Sequence, residues 1–378
     1  MGFTNSQLGL TGSLFIWATG LAAPFAGKLN QRYSTYRLIM WNLVLWSVVT
    51  GLTGFSTSPG MLLSARALLG ITEALFIPLA VSLIASTMPP ALRSRAVGLF
   101  FSAQLYGVVA GGSVGGWIAE RFGWRISFFA LGILGTLFAI PLAIFFRASH
   151  QPIPVQEYKT KSASVLVALA RVPSFVALCI CFPVFLMVLT ILYAWLPNFF
   201  HDKFGLGLAA AAFRATFYLQ TGTALGLFAG SILSDRLYLR KIKARFWLVG
   251  LSSLFGAPWA FLLTHGSLPL AELSATGFGL ANGTFTANLM IAPFDVVPSR
   301  ARTYSIAIIN TIAPPFAGLA SLMAGVWKDR LGIPTLITIL SVLMVLCGIA
   351  LLVCTRIFFD EDRRQIQAEL RQAPEQIL

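Results

Sequence analysis

Charge is scarce in this sequence. Asp, Glu, Lys and Arg make up 11% of its 378 residues, against roughly a quarter in an ordinary soluble domain. Hydrophobic residues make up 57%, and the mean hydropathy is +0.80. A water-soluble globule is excluded. Acids are the rarer charged class, 13 against 27 basic residues. The four cysteines, Cys179, Cys181, Cys347 and Cys354, all fall inside apolar runs, and residues two apart on a helix point in different directions, so Cys179 and Cys181 do not pinch a metal. His150, His201 and His265 sit at loops or helix ends, and no set of nucleophile, base and orienting group is readable. The expectation is no disulfide framework, no metal, no cofactor and no enzyme active site.

What the sequence has in abundance is long apolar runs. A bilayer core of about 30 Å takes roughly 20 apolar residues per helix, and eleven stretches qualify: 7–27, 37–55, 61–86, 97–119, 127–146, 174–198, 208–233, 246–265, 270–297, 304–327 and 335–358. Lipid offers the backbone no hydrogen-bond partner, and these runs are too long and continuous for barrel strands, so each is expected to be a helix. The fold class expected is an all-α membrane protein.

The net charge of +14 invites a nucleic-acid reading, which the distribution of charge removes. One set of alternate loops, with the C-terminal tail, holds 20 of the basic residues, among them Arg32, Arg93, Arg95, Arg171, Arg236, Arg240, Lys243, Arg245 and Arg302. The opposite loops hold five: Arg121, Arg125, Lys203, Lys328 and Arg330. Arg66 and Arg214 remain inside apolar runs. So lopsided a split is the positive-inside pattern, which puts the first set and the C-terminus in the cytoplasm. The expected partners are a lipid bilayer and a small molecule, with no nucleic acid, in a monomer of the cell inner membrane.

The longest polar break, 147–173, holds Pro152, Pro154, Glu157, Lys159 and Lys161 and reads as a linker, its end at 162–172 amphipathic enough for a short interfacial helix. It separates an expected N-terminal bundle at 1–146 from a C-terminal bundle at 174–358, with a tail at 359–378. The two parts repeat. Leu29 and Arg32 recur as Leu233 and Arg236 at an offset of 204, Arg93 and Arg95 as Arg300 and Arg302 at 207, and Glu120, Arg121 and Gly123 as Asp329, Arg330 and Gly332 at 209. Three signals in one order at nearly constant offset indicate a parallel duplication. The second part has a span, 174–198, ahead of its copy of the Leu-Arg signal, and the first part has none. The expectation is therefore that the first helix of a twelve-helix protein is missing from this sequence, through a truncated gene product or an upstream start.

With these features the sequence resembles the major facilitator superfamily over essentially its whole length. The loop signature of that family, glycine, any residue, leucine, small residue, aspartate and arginine followed by basic residues, is matched by Ser231, Leu233, Ser234, Asp235 and Arg236 with Arg240 and Lys241, and more loosely by Gly27, Leu29, Asn30, Gln31 and Arg32. The resemblance implies two pseudo-symmetric six-helix bundles, here with eleven transmembrane helices. It further implies a gating loop made of Gly27, Arg32, Asp235, Arg236 and Arg240, whose charges hold the cytoplasmic side shut. Arg66, Gly70 and Glu73, with Pro78, resemble the signature of anion:cation symporters, and a similar pattern occurs in Spinster-type lipid transporters. Gly123, Trp124, Arg125 and Phe128 add to the superfamily match. Gly98, Gly107, Gly111, Gly115 and Gly116 follow the glycine spacing of drug antiporters, but the proline of that motif is Gly112 here, which favours a symporter.

Charges at the bilayer centre cost about 2.5–3.5 kcal/mol each on insertion scales, and Arg66, Glu73 and Arg214 are the ones that lie clearly inside the runs rather than near their ends. Arg66 and Glu73 are two helical turns apart and share a face. Counted from Met61, Glu73 lies about 18 Å along the helix, near the midplane. Burial and a neighbouring cation act in opposite directions on a carboxylate's proton affinity, so Glu73 is the candidate carrier of a coupling proton, with Arg66 tuning it or meeting an anionic substrate. Gln104, Tyr106, Tyr193, Tyr218, Gln220, Asn282, Asn288 and Asn310 are the polar candidates for the rest of the pathway. Pro183, Pro293, Pro314 and Pro315 mark expected bends. The function expected is proton-coupled symport of a small organic anion, such as a sugar acid, organic phosphate or carboxylate, by alternating access. A drug/H+ antiporter or lysolipid-type carrier is the alternative.

Overall fold

The computed structural model describes residues 4–23, 25, 29, 32–88, 90–148, 169–297 and 302–372, and among these every regular element is helical. Helix α1 (Asn5–Ala22) starts at a capping box in which Thr4 and Gln7 each bond the other's backbone N–H. It is followed by α2 (Thr35–Thr53), α3 (Pro59–Glu73), α4 (Phe76–Thr87), α5 (Pro90–Phe122) and α6 (Trp124–Ala148). Then come α7 (Pro173–Phe204), α8 (Leu208–Tyr238), α9 (Ala244–His265), α10 (Leu268–Leu289), a 3₁₀ turn (Ala292–Asp295), α11 (Arg302–Ile357) and α12 (Phe359–Gln372). Each of the eleven expected spans is met by helix, the last two as the arms of α11 on either side of Gly332.

Two spans differ from the sequence expectation, both because of proline. The third is two helices, α3 and α4, that meet at Ala74 and Leu75. Pro78 has no N–H for the Ala74 carbonyl and its ring crowds that carbonyl, so the axis bends there. The ninth stops at Leu289 instead of running to 297. Pro293 stands four residues beyond Leu289 and withholds the same hydrogen bond, so the chain tightens into the 3₁₀ turn.

The internal repeat is visible in the backbone. Gly123, between α5 and α6, has φ 86°, and Gly332, inside α11, has φ 74°. These are the glycines that end the two Glu/Asp-Arg-x-Gly segments, and both take the left-handed conformation in which a side chain is strained.

Among the described residues, five stretches, Pro59–Val81, Trp124–Phe146, Pro173–Phe204, Ala244–His265 and Ile308–Ile357, are long and apolar enough by themselves to cross a membrane. On α6, Ile133, Leu134, Leu137, Phe138, Ile144 and Phe145 are all more than half exposed, an apolar surface that suits lipid and no aqueous monomer.

The helices group into two compact units. One comprises Met1–Tyr158, Tyr193–Thr216 and Gly318–Arg330, and the other Lys159–Leu192, Phe217–Ala317 and Leu331–Leu378. Small residues set the packing within each, as expected where lipid removes the hydrophobic drive between helices. In the first unit, Ser13 on α1 donates to the Gly318 carbonyl of α11 at 2.6 Å, and Asn5 donates to Asp329 at 2.6 Å. In the second unit, α8 and α10 interlock: Gly222, Gly226 and Gly230, one turn apart, face the backbones of Thr276, Leu280 and Thr284 with no room for a Cβ. Phe185 of α7 stacks on Phe278 and Phe285 of α10, with centroids 5.5 and 4.1 Å away.

Candidate functional site

Arg66 and Glu73 lie on α3, which Ser58 caps by accepting from Met61 N and which ends at Glu73 itself. Gly70 between them faces α1. Thr19 Oγ1 donates to the Gly70 carbonyl at 3.2 Å, and a Cβ on Gly70 would collide with the Phe15 carbonyl and stand 3.0 Å from Ala18 Cβ. The glycine of this signature is therefore a helix contact, and it brings α1 against the stretch that carries both charges. Arg66 is half-buried, its guanidinium carbon 5.3 Å from the Phe128 ring centre on α6, a cation–π geometry.

The two charges are near enough to act on each other electrostatically. Among the described residues, however, no ion pair within 4.0 Å joins them; the pairs present include Lys243–Asp360, Arg245–Asp295 and Lys328–Asp202. Arg66 Nε is buried without a hydrogen-bond partner, a costly arrangement in low dielectric. The site thus holds a guanidinium with an unused donor and a carboxylate, set two turns apart, which can accept an anionic group and a proton.

The remaining candidates divide by burial. Gln220 and Asn282 are 2% and 5% exposed and Asn288 is wholly buried. Asn282 Nδ2 donates to Thr223 Oγ1 at 3.2 Å, and Asn288 Nδ2 to the Thr284 carbonyl at 2.8 Å, so the first of these bonds fastens α10 to α8 and the second closes within α10. Gln104, Tyr106, Tyr193 and Asn310 are exposed, and Arg214 and Tyr218 half-buried. Arg66, Glu73, Gln104, Tyr106, Tyr193 and Arg214 belong to the first unit, and Tyr218, Gln220, Asn282, Asn288 and Asn310 to the second. Of the expected gating loop, Gly27 lies outside the described residues, and Arg32, Asp235, Arg236 and Arg240 are exposed. Among the described residues Asp235 and Arg236 form no ion pair.

A buried ion pair on the basic-loop side joins Arg245 to an acid that the sequence reading passed over. Asp295, beyond the end of α10 and with a side chain 4% exposed, accepts from Arg245 Nη1 at 2.9 Å and from the Tyr238 hydroxyl at 3.1 Å. The Arg245 guanidinium lies over the Tyr238 ring at 4.0 Å. Burial pushes the Asp295 carboxyl above its ordinary range, against the opposing pull of Arg245, Tyr238 and Arg363. The available signal was an acid within the 270–297 run, which demands a partner.

Comparison with known proteins places these features in a family. The family model described as Major Facilitator Superfamily matches residues 1–318. A probable sulfoacetate transporter of Cupriavidus necator is 29% identical over 286 residues, 69% of this chain and 65% of that protein. A probable sphingolipid transporter, a spinster homologue of Arabidopsis thaliana, is 32% identical over 156 residues, 41% of this chain and 30% of its own. A probable galactarate/D-glucarate transporter of Escherichia coli is 30% identical over 158 residues, 40% and 34% of the two chains. Each match thus spans less than two thirds of the relative. Among solved structures, a bacterial homologue of the human lysosomal transporter Spinster, in an inward-facing and occupied conformation, superposes with a TM-score of 0.78 at 19% identity over 96% of this chain and 91% of that one.

Proposed function

Because the chain belongs to the major facilitator superfamily, we propose that it is a secondary active carrier that moves a small organic anion by alternating access in symport with protons. The observation that carries this reading is the α3 site, where a half-buried guanidinium with a free Nε donor and a carboxylate stand two turns apart without closing on each other. Arg66 meets the anionic group of a sugar acid, organic phosphate or carboxylate, and Glu73 takes and releases the coupling proton. The printed names of two relatives, sulfoacetate and galactarate/D-glucarate transporters, support an organic anion. The protein works as a monomer in the cell inner membrane, with the basic loops and C-terminus in the cytoplasm, and the bundles at 1–146 and 174–358 rock about the site.

Uptake into proteoliposomes tests this. The panel is sugar acids, organic phosphates, monocarboxylates and lysolipids, each under an imposed pH or sodium gradient. Accumulation of an organic anion driven by the pH gradient supports the proposal; accumulation driven only by sodium rejects the proton. The second reading is a lysolipid-type carrier or drug/H+ antiporter, and the likeness to the spinster homologue supports its lipid branch. Uptake of lysolipid with no response to any anion would establish it instead.

A further inference from the structure

Helix α7 and the first arm of α11 enclose a groove of about 500 Å³ in the second unit. Cys179, Pro183 and Met187 form one wall, and Ile308, Ile312 and Phe316 the other. Each set recurs at three- or four-residue spacing, so each wall is one face of one helix. No charged or hydroxyl side chain lines it among the described residues, and Ile180 and Phe316, 59% and 45% exposed, leave it open along its side.

Its depth is that of one leaflet. Met187 lies 14 residues from the start of α7, and Phe316 14 residues from the start of α11, about 21 Å in each case. That is half of the roughly 40–45 Å of a bilayer with its headgroups. A partner helix would need a seat through both leaflets; this groove begins at the basic-loop face and stops near the midplane. At its mouth Leu169 and Ala170 line the cavity, and the next residue, Arg171, is exposed. The first turn of α7 carries no acid. Asp362 of α12 is buried and accepts the Ser174 N–H at 3.0 Å, and among the described residues no ion pair engages Arg171.

We propose that this groove seats one acyl chain of an anionic phospholipid from the leaflet on the basic-loop side, with its phosphate against Arg171. The apolar walls take the chain, the open side lets it enter from the bilayer, and the cation selects the headgroup. This site is separate from the Arg66–Glu73 site and needs no assumption about what is transported.

Native mass spectrometry of the full chain in mild detergent tests it, with dioleoyl phosphatidylglycerol, dioleoyl phosphatidylcholine and lysophosphatidylglycerol as probes. The expected result is one retained phosphatidylglycerol, held about fivefold better than phosphatidylcholine, the worth of one cation beside an anionic headgroup. Val184→Trp, which fills the groove, is expected to weaken retention roughly tenfold or more. Ile312→Gln, close to isosteric and on the half-buried opposite wall, is expected to weaken it in the same direction, with an unchanged gel-filtration profile as the control for folding. Arg171→Gln is expected to erase the preference between headgroups while leaving the chain bound. Retention by both wall variants equal to that of the unaltered protein overturns the proposal. So does a headgroup preference that survives Arg171→Gln, or displacement of phosphatidylglycerol by lysophosphatidylglycerol that the protein then transports.

Discussion

Arg245 and Asp295 form the buried ion pair whose removal the structure predicts most sharply. Taking away one partner leaves an uncompensated charge in a place that excludes water, and Arg245→Met is expected to cost about 3–5 kcal/mol at neutral pH. The sign with pH follows from the raised Asp295 carboxyl. A carboxyl shifted up contributes stability below its unfolded value, near pH 4, and loses it as pH rises through the folded value. The variant is therefore least destabilised at about pH 4 and most at about pH 8, which thermal unfolding across that range would read; a flat difference would contradict it. Arg66 and Glu73 were legible as single residues because charge inside an apolar run is rare. Asp295 was not picked out, since the run containing it extends past the true end of the helix.

At the scale of elements, packing follows glycine. Gly226→Leu is expected to prevent α8 and α10 from closing, since its side chain meets the Leu280 backbone, and to abolish monodisperse protein on gel filtration. Gly132 of α6 packs against α2, where its Cβ would meet the Gly51 backbone, but a Cβ on Gly107 meets nothing within 4 Å, so Gly107→Ala is expected to leave the profile unchanged. The C-terminal helix α12 is tied to the second unit. Phe359 is 1% exposed against Phe246 at 5.2 Å, Lys243 pairs with Asp360 at 2.6 Å, and Asp362 accepts the Ser174 N–H. Asp362→Ala removes that cap from α7 and is expected to cost about 0.5–2 kcal/mol, the usual worth of a lost N-cap, read as a lower unfolding temperature. Hydropathy located every span. It passed through Pro78 and Pro293 without registering them, because proline alters hydrogen bonding and sterics while barely changing the mean polarity of a 20-residue run.

At the scale of the whole molecule, the class, the eleven spans and the duplication were in the sequence, the last down to Gly123 and Gly332 with their shared backbone conformation. The polar pathway was legible only in part. A lone Asn or Gln in a spanning helix looks the same in sequence whether it faces a neighbour or an open path. Asn282 proves to bond α8, whereas Gln104 and Asn310 are exposed. The central claim is that Glu73 couples proton movement to anion movement. It is tested most directly by comparing the unaltered protein with Glu73→Gln in proteoliposomes, measuring accumulation under a pH gradient and gradient-free exchange of the same anion. The account predicts that Glu73→Gln abolishes accumulation and retains exchange. Accumulation by Glu73→Gln at the rate of the unaltered protein would contradict it.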